Sequence, residues 1–94
     1  MKKLFISQPM ADKTDEEILA ERQRAAAKFE DVEVIDSFFE DAPNDAQPLW
    51  YLGESVKKMA EADIVCFCKG WDKYRGCRIE YQCAVNYGKE IAFC

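Results

Sequence analysis

Apolar and polar positions fall in blocks along this chain, and the period changes from block to block. After Met1 the run "KKLFIS" (2–7) is short and apolar, and it gives way to "QPM". Proline cannot donate to a ladder, so a first strand is expected to end before Pro9. "KTDEEILAERQRAAAKFED" (13–31) then takes a helical period, with Ile18, Ala25, Ala26 and Phe29 on one stripe. Thr14 and Glu17 have capping-box spacing, and three acids stand in the first turn, where the helix dipole favours them. "VEVIDSFF" alternates and then runs apolar, which predicts a second strand over about 32–37.

The turn-rich "EDAPNDAQP" precedes "LWYLGESVKKMAEA", a second amphipathic helix carrying Leu49, Leu52, Val56, Met59 and Ala60. Pro48 suits its first position, and Gly53 weakens it by up to about 1 kcal/mol. "ADIVCFC" is apolar on both faces, as a central parallel strand is. "CRIEYQCAVNY" predicts a third helix with Ile79, Cys83, Ala84 and Tyr87 inward, closed by Gly88 at C′. "KEIAFC" predicts a fourth strand. Short joins in the order β-α-β-α-β-α-β imply right-handed crossovers and a parallel sheet covered on both faces. The expected architecture is therefore a three-layer, flavodoxin-like or Rossmann-like α/β fold with strand order 2-1-3-4, formed by residues 1–94 as a single domain.

Composition narrows the function classes. The 94 residues carry 13 basic against 18 acidic side chains, net −5, with no basic stripe. A nucleic-acid duplex is therefore not an expected partner. No apolar run approaches the ~20 residues that span a bilayer, so no membrane partner is expected. Five cysteines (Cys66, Cys68, Cys77, Cys83, Cys94) and no histidine are present. Without a secretory leader the reading is a reduced cytoplasmic protein. The spacing does not suit a metal site, and no cofactor is expected.

In sheets of this topology, ligands bind beyond the carboxyl ends of the strands, near the point where strand order reverses. The rule selects Ser7, Gln8, Pro9 and Met10 after the first strand. It selects Asp36, Ser37 and Phe38 after the second, and Lys69, Gly70, Trp71 and Asp72 after the third. The third helix begins near Gly76, which brings Glu80 to the same rim. A carboxylate nucleophile with a second group handling protons is the logic of glycosyl transfer, so Glu80 and Asp72 are the candidate catalytic pair. Trp71, Tyr74 and Phe38 are candidates to stack on a flat base. Arg75 or Arg78, with free N–H groups at the helix start, are candidates to hold a phosphate. Each has a plainer reading. Glu80 is also an ordinary first-turn acid, Asp72 a turn former, Trp71 a cap on the core, and the arginines surface charges. Cys77, near a helix N-terminus, is a candidate for a lowered pKa, although no histidine is present to act as its base.

The segments "ISQPM", "MAEADIV" and "RGCRIEYQCAVNYGKEI" together resemble the nucleoside 2-deoxyribosyltransferase superfamily, above all its short bacterial and phage branch, over roughly residues 3–93. The resemblance implies that Glu80 is the nucleophile, Ala84 the small helix residue and Gly88-Lys89 the helix stop. It implies that Gly76 precedes the nucleophile helix and that Asp72 contacts sugar or base. Ser7, Gln8, Pro9 and Met10 would contribute to the base and sugar pocket. It also implies a flavodoxin-like fold and a homodimer or higher oligomer. Gln8 stands where that superfamily usually has glycine, and Arg75 and Arg78 favour a phosphorylated ligand. Two functions follow as expectations. One is cleavage or transfer at the N-glycosidic bond of a (deoxy)nucleoside or its 5′-monophosphate. The other is a nucleotide-binding or sensing module that keeps the fold without turnover.

Overall fold

A computed structural model describes residues 1–37, 39 and 41–94; Phe38, a candidate stacking residue, lies outside them. The elements run β1 (Lys2–Ser7), α1 (Asp15–Ala26), β2 (Val32–Val34), α2 (Pro48–Met59), β3 (Ile64–Phe67), a 3-10 turn (Trp71–Lys73), α3 (Arg75–Asn86) and β4 (Glu90–Phe93). The four strands form one parallel sheet in the order β2-β1-β3-β4. This is the expected α/β architecture of flavodoxin-like type.

Alternation along the strands divides the core. Leu4, Ile6, Ile64 and Cys66 face α1 and pack with Ala25, Ala26 and Phe29. Phe5, Val65 and Phe67 face the other way and meet Met59 at the end of α2, with Ala84 and Tyr81 of α3. All four residues of β3 are buried, which is why its sequence is apolar throughout.

Local signals fix the helix ends. Thr14 accepts from the Glu17 N–H while the Glu17 carboxylate accepts from the Thr14 N–H, completing the capping box. Pro48 starts α2 as foreseen. At the end of α3, Gly88 takes φ +71°, its N–H reaches Val85, and the Lys89 N–H reaches Ala84. The Lys89 ammonium then turns to the Ala60 and Ala62 carbonyls at 3.2 and 2.8 Å, beyond the last turn of α2.

Four expectations are corrected. β2 ends at Val34 rather than near residue 37. Beyond it, Arg22 of α1 occupies the polar groups, donating to the Ile35 carbonyl at 3.2 Å and the Ser37 hydroxyl at 2.7 Å. The stripe on α2 is shallow, with Met59 buried but Leu49 75% exposed. On α3 the buried residues are Cys77, Glu80 and Ala84, while Tyr87 points outward and Ile79 is 40% exposed. The helix is thus rotated to present a carboxylate, not its most apolar stripe, to the sheet end. Finally, Cys66 and Cys94 form a disulfide with their Cα atoms 6.4 Å apart, leaving Cys68, Cys77 and Cys83 as thiols. Cys66 is registered with Ala92. Two residues further on, Cys94 lies on the same face and reaches it diagonally.

Among the described residues, no helix is long and apolar enough to cross a membrane.

Candidate functional site

β1 runs apolar through Ile6 and ends at Ser7, which is buried together with Gln8 and Pro9 just beyond it. Pro9 interrupts any further ladder, so the chain turns away and leaves Ser7 at the tip of an inner strand. α3 starts nearby, after the 3-10 turn, and points the side chain of its sixth residue back at that tip. The Ser7 hydroxyl donates to Glu80 Oε1 at 2.6 Å, the short distance of a charge-assisted bond.

The pair lies in the wall of a cavity of about 710 Å³. One side is the end of β1 with Ser7, Gln8, Pro9 and Met10. A second is the start of α3 with Tyr74, Arg75, Gly76, Cys77 and Glu80. The third is α2 with Tyr51, Leu52 and Ser55, joined by Ser37 and Phe39 after β2. The volume falls within the roughly 300–1,000 Å³ typical of small-molecule sites.

Glu80 is only 7% exposed. Burial raises its pKa above the ordinary carboxylate value, while hydrogen bonds from Ser7 and then Ser55 work in the opposite sense. Two hydroxyls from different elements therefore support the ionised form in an otherwise apolar recess. Cys77 sits one turn before Glu80. Burial first of all pushes its thiol up to about 11; the Ser7 hydroxyl opposes this and the Glu80 charge adds to it. The lowered thiol pKa expected from a helix N-terminus is thus reversed, because desolvation outweighs the dipole.

Gln8 is 5% exposed. Its Nε2 donates to the Ile18 carbonyl at 3.1 Å and to Glu21 Oε1 at 3.0 Å. Both partners are acceptors, so the orientation of the amide is fixed. Its Oε1 is left buried without a partner among the described residues.

The remaining candidates are distributed unevenly. Arg75 and Gly76 line the cavity. Asp72, Gly70, Trp71, Arg78 and Asp36 are not among its lining residues. Gly70 opens the 3-10 turn with φ +87°. Trp71 stacks on Tyr81 with ring centroids 4.7 Å apart and packs against Phe67, so it extends the core. Arg78 reaches back to the Asp72 carbonyl at 3.2 Å, which keeps both on the outer side of α3. Asp36 is exposed beyond β2, near the half-buried Arg22, and its charge partly offsets the lowering of the Arg22 pKa by burial. The loop after β3 therefore leaves its acid exposed and outside the lining of the cavity that holds Glu80.

Sequence reasoning missed the contribution of α2. Pro48, Tyr51, Leu52 and Ser55 follow helical i, i+3, i+4, i+7 spacing, which puts them on one face. Only the fold shows that this face overhangs Glu80. Among the described residues, no group of three or more His, Cys, Asp or Glu side chains gathers in metal-binding array.

The family described as "Domain of unknown function (DUF4406)" matches residues 2–93. No curated protein matches the chain.

Proposed function

This chain belongs to the DUF4406 family, and from that premise we propose that it cleaves or transfers at the N-glycosidic bond of a (deoxy)nucleoside or its 5′-monophosphate. The observation that carries the reading is the position of Glu80: a buried carboxylate, bonded by Ser7 at 2.6 Å, in the wall of a cavity large enough for a nucleotide. The resemblance to the nucleoside 2-deoxyribosyltransferase superfamily supports the same role for the same residue.

In this reading Glu80 attacks the anomeric carbon. The C–N bond breaks, its electron pair leaves with the base, and a glycosyl ester forms on the Glu80 oxygen. Ser7 aims the carboxylate, and the Ser7 and Ser55 hydroxyls favour its ionised form against the burial that raises its pKa. The apolar wall of the cavity strengthens their hydrogen bonds by excluding water. A proton reaches the departing base from solvent at the open mouth, since Asp72 does not line the cavity. Water, or the nitrogen of a second base, then displaces Glu80 and restores it. Tyr51 and Tyr74 offer flat faces to the base. Arg75 and the N–H groups at the start of α3 suit a 5′-phosphate.

One observation favours a second reading, a nucleotide-binding module without turnover: Glu80 is the one carboxylate among the cavity's described lining residues. A single experiment separates the two. The protein is incubated with deoxynucleosides and their 5′-monophosphates, with and without a free acceptor base, and base release is followed by chromatography. Turnover that disappears in Glu80→Gln supports catalysis. Binding without turnover supports the module. Equal turnover in Glu80→Gln removes Glu80 from the mechanism.

A further inference from the structure

The cavity does not end at Arg75. A second hollow of about 530 Å³ opens beyond it, walled by Pro48, Leu49, Leu52 and Ile79. Pro48, Leu52, Arg75 and Gly76 border both hollows and form a common sill between them. Ser7, Ser55 and Glu80 line the first hollow and are not among the lining residues of the second.

Gly76 gives the sill its meaning. It lies inside α3, its φ is not positive, and a Cβ there would meet nothing within 4 Å. Neither backbone conformation nor packing calls for glycine, although glycine weakens a helix relative to alanine. Its missing side chain leaves open space at the border that the two hollows share. The first N–H groups of α3 open there, with no side-chain cap from Tyr74 and no acid in the first turn. Arg75 is exposed and joins none of the ion pairs formed among the described residues.

We propose that the second hollow is a subsite for a group carried on the far side of a nucleoside's 5′-phosphate. The nucleoside lies over Glu80, the phosphate rests on the sill at Gly76 and Arg75, and a flat or apolar substituent fills the space against Leu49 and Ile79. The inference rests on the function proposed above and deepens it. The preferred ligands become 5′-phosphodiesters or diphosphate conjugates rather than plain monophosphates. Two features select this occupant. The first cavity alone is of a size to hold a mononucleotide, so the second is surplus to one. An acceptor base in the second hollow would sit among residues that include no reacting carboxylate.

The test compares a deoxynucleoside 5′-monophosphate with its phenyl phosphodiester by calorimetric titration of wild type, Leu49→Gln and Ile79→Gln. Both positions are well exposed, so the variants are expected to fold. The expected result is that wild type binds the phenyl ester about tenfold more tightly and that the ratio falls toward one in both variants. Equal affinities in wild type, or a ratio that survives both substitutions, would overturn the subsite while leaving the monophosphate reading intact. Binding of neither ligand would overturn both.

Discussion

The hydroxyl of Ser7 and the carboxylate of Glu80 meet at 2.6 Å although 73 residues separate them in the chain. One stands at the tip of an inner strand and the other in the second turn of the last helix. The bond secures α3 against the sheet end and favours the charged form of an acid whose pKa burial raises. Structure and reactivity therefore share this contact, and the first predictions follow from it.

Glu80→Gln keeps the shape of the side chain and removes the nucleophile. Base release is expected to fall by about a thousandfold or more, with the melting temperature held or raised, because a neutral amide avoids the cost of burying a charge. Ser7→Ala removes one hydrogen bond to a charged group, which contributes about 1.5–3 kcal/mol. Its rate is expected to drop tenfold or more on that scale, with the acid limb of the pH–rate profile moved to higher pH. Steady-state kinetics and thermal denaturation check both.

The raised pKa of Glu80 fixes the sign of a pH effect on stability. Between its ordinary value and its raised folded value, the folded state binds more protons than the unfolded state. The contribution is fully present below the ordinary carboxylate pKa and is lost as pH rises through the folded value. Wild type should therefore lose stability relative to Glu80→Gln as pH increases across that window. Urea denaturation of both proteins at a series of pH values measures the difference, and a constant difference would contradict the buried ionisation.

Asp72 and Trp71 separate the loop after β3 from the chemistry. Asp72→Asn is expected to leave base release unchanged, because Asp72 is exposed and does not line the cavity. Trp71→Ala should cost about 2–3 kcal/mol of stability through loss of the stack on Tyr81 and the contact with Phe67. Denaturation curves beside turnover assays distinguish the two outcomes.

Thiol reactivity should follow burial. Cys77 and Cys68 are both pushed up to about 11, whereas Cys83 is half-exposed. Alkylation of the native protein near neutral pH should modify Cys83 first and reach Cys77 and Cys68 only on unfolding, as read by mass spectrometry. Reduction of the Cys66–Cys94 disulfide, which closes a loop of sequence separation 28, should lower stability by about 3 kcal/mol. The Cys94→Ser variant should show no such response to reductant.

Features that depend on near neighbours were legible in the sequence. The Thr14–Glu17 box, the Pro48 start and the Gly88 stop each follow from a few adjacent residues. Strand order followed from crossover handedness and an apolar β3. The rotation of α3 was hidden, because its stripe of Ile79, Cys83 and Tyr87 is locally the more apolar choice. Glu80 is buried instead, since Ser7 and Ser55 supply its partners, and no local period reveals partners that far away. Proximity in sequence also gave no guide to Asp72, whose loop turns outward through the Arg78 contact. The Cys66–Cys94 link needed the β3–β4 register before a diagonal pair was visible.

The place of β1 between β2 and β3 has a consequence for biosynthesis. Its Leu4 pairs with Val34 on one side and with Ile64 on the other. A ribosome-bound chain truncated before residue 64 thus holds a hydrophobic strand with one naked edge, and closing that edge requires a long loop to be drawn in. During that interval the nascent chain is open to wrong strand partners. Holdase chaperones and crowding by neighbouring nascent chains should therefore influence its yield more than the helices' own propensities do.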